Sequence, residues 1–338
     1  MNPEAQHVWV VTVTYGNRLS FVKTVVEAVL KMGVGRIVLV DNGCPATVRE
    51  GLSALQAAWP EQLLIVHQEE NLGSAGGYAV GIQTAYEGGA EFLWLLDDDN
   101  RPVSEALDRL LAAYRLLGTH PRNVLVGFRP SRKNQQKAVF KGHRIEHVSN
   151  TFLGFHIRQL SALLPRKKQL GPLPAPPLFP LIAIDYAPYG GLFLHRSWVE
   201  RAGLPDHRLY LYADDYEYTR RLVEAGARLY LCAPAIIEDL DDSWHVQPNK
   251  SFPWVDPTID IERLYYAIRN RAWLEKHYLT HRSVFLLNGA IFLGALCLVS
   301  LLREKNPRFT WQRMQTIWQA LQDGWQGKLG RLRLASGS

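Results

Sequence analysis

Asp97, Asp98 and Asp99 stand in a row at the end of the apolar run LWLLDDDNRP, residues 93–102. Adjacent carboxylates repel one another, so a fold that gathers them must gain something in return. An oxygen-rich cluster suits a hard divalent cation that keeps several waters and takes further ligands from a diphosphate. A solvated loop end is the plainer reading of the same letters, and the position at a strand terminus speaks against it. Other stretches are weaker alone. VDNG, residues 40–43, is an ordinary Asx turn after a strand. ENLGSAGGY, residues 70–78, has glycines that permit close backbone approach to a ligand at a helix start, but it matches neither GxGxxG nor the P-loop. Asp214 and Asp215 precede a helical pattern, where acidic residues serve as caps. His245, after Trp244, reads on its own as a packing residue.

The elements that must position these residues alternate. VWVVTVTY, RIVLVDNG, LLIVHQ and EFLWLLDDD have strand character, and LSFVKTVVEAVLKMG, VREGLSALQAAW and GGYAVGIQTAYEGG are helical between them. Strands and helices at this spacing predict an α/β fold with a mostly parallel sheet flanked by helices. Ligands of such sheets bind outside the carboxyl ends of the strands. Thr14, Tyr15, Asp41, Asn42, Asn71 to Gly77 and Asp97 to Asp99 all fall there, on one rim. A further helix (104–118) and strand (123–130) follow. Residues 131–180 are basic and then proline-rich, and read as a loop or insertion that either forms an acceptor side or is merely solvated.

The last fifth differs. Residues 283–302 are 20 residues without a charge, bracketed by Arg282 and Arg303, and roughly 20 apolar residues span a bilayer as a helix. Residues 310–335 form a basic, tryptophan-rich amphipathic pattern suited to a membrane interface. Positive charge on both flanks gives no orientation, so an in-plane insertion competes with a span. Attachment to the cytoplasmic leaflet of the membrane is expected. The start of the chain has no basic leader or small-residue cleavage site. The three cysteines, Cys44, Cys232 and Cys297, are far apart, which fits a reducing compartment and neither a disulfide framework nor a thiolate zinc site.

VVTVTYGN, VDNG, ENLGSAGGY, WLLDDDNRP, YADDYEYTRRLVEAG and DSWH, in this order, resemble the inverting family 2 glycosyltransferases with a GT-A fold, over roughly residues 8–250. NLGSAGGY followed by LWLLDDDNRP is most similar to the bacterial galactofuranosyl- and rhamnosyltransferase branch. The resemblance implies a GT-A, Rossmann-like nucleotide-sugar-binding domain over residues 1–255 and a C-terminal helical, membrane-associated region over 256–338. It further implies that Asp97, Asp99 and His245 hold Mn²⁺ or Mg²⁺, with Asp98 near the nucleotide sugar. Asp215 would be the catalytic base, with Asp214 beside it. Asp41 would accept a hydrogen bond from the nucleotide base, Thr14 and Tyr15 would wall its pocket, and Asn71, Gly73 and Gly76 would line the diphosphate side. The chain departs from the pattern in having Gly77 and Tyr78 where many members have an arginine. The acidic run before His245 leaves open whether Asp241 or Asp242 also touches the cation.

The function so implied is metal-dependent, inverting transfer of a sugar, best galactofuranose from UDP-galactofuranose, to a lipid-linked or polysaccharide acceptor in bacterial cell-surface glycan synthesis. A rhamnosyltransferase using dTDP-rhamnose would need nearly the same pocket. A nucleotidyltransferase shares the alternating sheet and acidic metal site, but TVTYGNRLS lacks the glycine-rich loop expected at its first strand. Net charge is +6, yet the basic residues gather at the insertion and the hydrophobic tail, not as an aromatic-interleaved stripe at the rim, so nucleic acid is not the expected partner. Self-association is left open.

Overall fold

The computed structural model describes residues 3–158, 180–241, 259–303 and 307–332. The chain divides into two compact units, one of residues 1–146, 173–207 and 215–246, the other of 147–172, 208–214 and 247–338.

The first unit is built on a nine-stranded sheet. β1 (Val8–Thr14), β2 (Arg36–Asn42), β3 (Leu63–Gln68) and β4 (Phe92–Asp97) pair in parallel in the order β3-β2-β1-β4. The helices α1 (Leu19–Leu30), α2 (Ala46–Ala58) and α3 (Gly73–Glu87) connect them, and α4 (Ala106–Leu116) follows. These strands read as near-continuous apolar runs because both faces are covered. Val10, Ile37, Leu39, Trp94 and Leu96 enter the core shared with α1, α2 and α4. Val11, Val13, Val38, Val40, Leu93 and Leu95 enter the core on the other face, with α3 and with α6 (Ser197–Ala202) and α7 (Asp214–Glu224). α3 lies close against the sheet because it lacks side chains there. A Cβ on Gly77 would stand 2.5 Å from a methyl of Val13.

Beyond β4 the sheet is mixed. β8 (Leu192–His195) inserts antiparallel between β4 and β6 (Asn123–Phe128). β9 (Arg228–Asp239) runs parallel to β6 and antiparallel to β5 (Asn100–Pro102) and β7 (Leu181–Ile184). The parallel sheet expected from the alternating pattern therefore occupies β1 to β4 and the β6–β9 pair. Stretch 131–180, expected as a loop, contains the helix α5 (Lys133–Lys141) and a bridge from Ile145 to Ile184, while 159–179 lie outside the described residues.

The second unit holds α8 (Ile261–His277), α9 (Arg282–Arg303) and α10 (Pro307–Gln326). It also takes in 147–158 and 208–214, which a single boundary near residue 255 does not provide for. Asp260 caps α8, accepting from Glu262 N at 2.9 Å and Arg263 N at 3.1 Å. Buried Glu275 gathers Thr151 Oγ1, Leu153 N and Gly154 N at 2.7–2.8 Å, which satisfies an irregular segment that has no ladder of its own.

Candidate active site

The parallel register sets the rim side by side. Thr14 pairs with Asp41, Asp41 with His67, and Val13 with Asp97, so the last residues of four strands reach one edge of the sheet. Arg18, in the turn from β1 into α1, is the hub of that edge. Its Nε lies 2.9 Å from Asp98 Oδ1, and its Nη1 donates to Asp241 Oδ2 at 2.8 Å. Thr14 Oγ1 donates to the other oxygen of Asp98 at 2.7 Å. Asp98 is thus buried and turned into the protein, while Asp97 keeps 37% of its side chain exposed.

A second guanidinium completes the cluster. Arg129, buried just past the end of β6, reaches Asp97 Oδ2 at 3.2 Å and holds Asp239, the last residue of β9, through Nε at 2.8 Å and through Nη2. Tyr78 OH donates to Asp97 Oδ1 at 2.9 Å, and Asn100 Nδ2 bridges Asp99 and Asp239 at 3.0 Å each. Gly190 is packed against this group. A Cβ there would lie 2.6 Å from Asp97 Oδ2 and would also collide with Asn100 Oδ1 and Arg129 Nη1.

The electrostatics show what this arrangement lacks. Asp97, Asp98, Asp99, Asp239 and Asp241 face Arg18, Arg129 and Arg132, five carboxylates against three guanidiniums. Burial pushes Asp98 up to about 7, against the pull of Arg18 and Thr14. Burial and the neighbouring Asp97 raise Asp99 to about 6. Burial works to lower Arg18, but Asp98, Asp241 and Asp99 outweigh it and raise its pKa. An all-oxygen cluster with a formal excess of two negative charges suits a hard divalent cation. Among the described residues, however, no three carboxylate, imidazole or thiolate groups stand together as a closed ligand set. Asp97 and Asp99, the two described members of the expected ligand set, accept from Tyr78 and Arg129 and from Asn100 and Arg18, respectively. His245 and Asp242 lie outside the described residues.

Asp215 sits in the first turn of α7, where Oδ1 accepts from Tyr216 N at 2.7 Å. It is partly exposed as a residue, and enclosure of its carboxyl, opposed by that hydrogen bond and reinforced by Asp97, raises it to about 6. Arg132 and Arg129 pull it the other way. Asp214 is buried.

The remaining rim residues form two separate groups. Asp41 is fully buried, with Oδ1 accepting from Cys44 N at 2.8 Å and Oδ2 facing His67 Nδ1 at 2.8 Å and Arg49 Nε at 3.0 Å. Burial alone would raise it, but His67, Cys44 N and Arg49 hold it below the usual carboxylate range. Tyr15, next to Thr14 in sequence, is exposed. Asn71 precedes α3, and Gly73 and Gly76 lie in its first turn; this junction is fastened by Asn42, whose Nδ2 donates to Gly73 O at 2.9 Å and whose Oδ1 accepts from Leu72 N at 2.8 Å. Gly73 enters α3 at φ 72°, a conformation that glycine adopts without strain. Thr14 therefore bonds Asp98 directly, and the three aspartates are linked through Arg18, Asn100 and Arg129, whereas Asp41 and the segment from Asn71 to Gly76 are held by their own networks. Sequence reasoning missed Arg18, Arg129 and Asp239 as members of the site. Arg129 and Asp239 stand at carboxyl ends of strands, the signal that identified the others.

The family model described as glycosyl transferase family 2 matches residues 9–168. The galactofuranosyltransferase GlfT1 of Mycolicibacterium smegmatis is 29% identical over 200 residues, 59% of this chain and 59% of that protein. The galactofuranosyltransferase GlfT1 of Mycobacterium tuberculosis is 30% identical over 201 residues, 59% of this chain and 58% of its own length. The chain thus spans less than two thirds of the curated relatives it matches. Among solved structures, S. aureus TarS 1-349 aligns with a TM-score of 0.52 at 15% identity, covering 95% of this chain and 82% of that one. Its complex with UDP-GlcNAc gives 0.51 at 14% identity, covering 94% and 80%. At this identity the likeness shows the fold, a GT-A-type α/β architecture.

Proposed function

Since residues 9–168 match the family model described as glycosyl transferase family 2, we propose that the chain transfers a hexose with inversion from a nucleotide diphosphate donor to a hydroxyl group. Galactofuranose from UDP-galactofuranose is the proposed donor sugar, supported by the two galactofuranosyltransferases. The proposed acceptor is lipid-linked or a polysaccharide, in bacterial cell-surface glycan synthesis at the cytoplasmic face of the inner membrane. The observation that carries the reading is the carboxylate excess around Arg18 and Arg129 at the carboxyl ends of the strands, with Asp215 in electrostatic reach of Asp97.

Two tasks need two sets of groups. The acceptor hydroxyl must lose a proton as its oxygen bonds the anomeric carbon, and Asp215 takes it, its raised pKa making it a usable base near neutrality. The bond from that carbon to the diphosphate breaks on the opposite face, so the configuration inverts. Mn²⁺ or Mg²⁺ bound by Asp97 and Asp99 would offset the charge growing on the departing diphosphate. Arg18 and Thr14 hold Asp98 inside the protein, which fixes the backbone that carries both ligands. Asn42 holds the Asn71–Gly73 turn, whose backbone faces the same rim.

Incubation with a panel of nucleotide sugars, with and without Mn²⁺, tests the reading by donor hydrolysis and by the anomeric configuration of any product. Turnover of dTDP-rhamnose in preference to UDP-galactofuranose would replace the sugar, and release of pyrophosphate from a nucleoside triphosphate would replace the reaction class.

A further inference from the structure

We infer that α9 lies along the surface of a bilayer, half sunk in it, and does not cross it. This rests on the reading that the chain attaches to a membrane. Among the described residues α9 is the one helix long and apolar enough to span, but its two faces differ. Phe285, Asn288, Gly289, Phe292, Leu296 and Ser300 are buried in the second unit. Asn288 accepts from Ile157 N at 2.9 Å and donates to Asn150 O at 2.8 Å. A Cβ on Gly289 would come within 2.9 Å of the Phe152 ring. The opposite face exposes Leu286 (58%), Leu287 (51%) and Leu298 (58%), together with Ala290, Gly294 and Cys297, and carries no charge between its ends.

The course of the chain argues against crossing. At 1.5 Å per residue, Phe285 to Arg303 covers about 27 Å, and Pro307 to Trp325 covers about 27 Å again. Trp325 stacks on Phe285 with ring centroids 5.2 Å apart, so the end of α10 returns to the start of α9. If α9 crossed, α10 would cross with it. α10 carries Arg313, bonded to Ile259 O at 2.9 Å, Asp323, bonded to Tyr265 OH at 2.9 Å, and exposed Gln312, Gln315, Gln319 and Gln322. Such residues are costly in hydrocarbon. A helix with one apolar face free and the other built into protein is satisfied in the interface plane instead.

The exposed chemistry selects a lipid surface as the occupant. Trp311 and Trp318, seven residues apart on one face of α10, are exposed, and tryptophan concentrates at the headgroup level. His281 and Arg282 are exposed where α9 starts, and α9 contains no acidic residue. The nearby acids, Glu275 and Asp323, are paired within the unit. Anionic headgroups complement this edge.

The full chain and sealed vesicles of phosphatidylcholine and phosphatidylglycerol test it. Flotation with the vesicles checks attachment first, and a protein that stays unbound overturns both attachment and this inference. Cys297, exposed where Cys44 and Cys232 are buried, then receives an environment-sensitive fluorophore. Quenchers placed near the headgroups should act on it several-fold more strongly than quenchers at the chain ends. Stronger quenching from the chain ends overturns the in-plane placement and leaves attachment standing. Leu286→Ser, Leu287→Ser and Leu298→Ser together should weaken binding at least about tenfold, with the thermal response to UDP and Mn²⁺ unchanged. Undiminished binding overturns the assignment of this face.

Discussion

Arg18 Nη2 lies 2.8 Å from Asp99 Oδ2. The same guanidinium touches Asp98 and Asp241, so one positive group binds three carboxylates from two segments far apart in the chain. Arg18 therefore supplies part of the charge that a divalent cation would complete.

Replacing Arg18 with Ala should leave Asp98 buried beside Asp99 without its counter-charge, a loss of about 3–5 kcal/mol for a broken buried pair. Thermal unfolding with and without Mg²⁺ checks this. The cation should raise the Tm of Arg18→Ala more than that of the parent, because it supplies charge the variant lacks. Lysine should rescue little, since one ammonium cannot reach three carboxylates in separate directions.

In the absence of divalent cations the folded protein should lose stability as pH rises. Asp98 and Asp99 are raised from 3.8 to about 7 and about 6. Between those limits the folded state binds more protons than the unfolded one, so stability falls with rising pH by about 1.4 kcal/mol per unit per proton. It levels off above about 7, where both states are ionised. Asp41, held low, changes stability only under more acid conditions, outside this window. Tm measured across pH in chelator, then in Mg²⁺, should show a slope that the cation flattens. A Tm that climbs from pH 5 to pH 7 in chelator would refute it.

Asp215→Asn keeps shape and removes the base. Turnover should fall by about 10²–10⁴-fold, with calorimetric affinity for UDP and Mn²⁺ nearly unchanged. In the parent enzyme kcat/KM should decline as pH falls through about 6, because the carboxylate must be ionised to accept a proton. Wild-type turnover in the variant sinks the assignment.

The parallel half of the fold was legible because each of its strands is a short apolar run with a helix before the next. The stretch over β7, β8 and α6 also reads as strand-like and then helical, but its antiparallel pairing was not legible. β7 and β8 are four residues each, and β8 inserts between β4 and β6, a long-range choice that no local period encodes. At the site, Asp97 to Asp99 advertised themselves as a run of like charge, whereas Arg129 and Asp239 are single letters at strand ends, 110 residues apart, joined only by tertiary structure. The glycines of α3 misled in part. Gly77 answers the need of α3 to lie against Val13, a packing role that a glycine-rich turn does not distinguish from phosphate approach.

Gly190→Ala should be worse than its size implies. The added methyl would meet Asp97 Oδ2 at 2.6 Å along with the side chains of Asn100 and Arg129, none of them a free flexible end. Overpacking costs about 1–3 kcal/mol, and displacement of Asp97 should abolish the thermal shift produced by UDP with Mn²⁺. A variant with parental stability and an unchanged shift would show that Asp97 is not held as described.

Asn270→Asp places a carboxylate where a donor is required. Asn270, wholly buried, gives Nδ2 to the carbonyls of Leu209, Leu211 and Tyr212 at 2.7, 2.8 and 2.9 Å. That segment holds three non-glycine residues in the left-handed region, Tyr210 at φ 63°, Tyr212 at 68° and Ala213 at 60°. Each costs about 1–3 kcal/mol and persists only where surroundings enforce it. Loss of the shared donor, with repulsion from three carbonyls, should remove about 3 kcal/mol or more and raise hydrogen exchange across 208–213. Ala213→Gly tests the strain separately, because glycine adopts that φ freely and should stabilise by about 1 kcal/mol. Parental Tm and exchange in Asn270→Asp would mean that the segment keeps its conformation unaided.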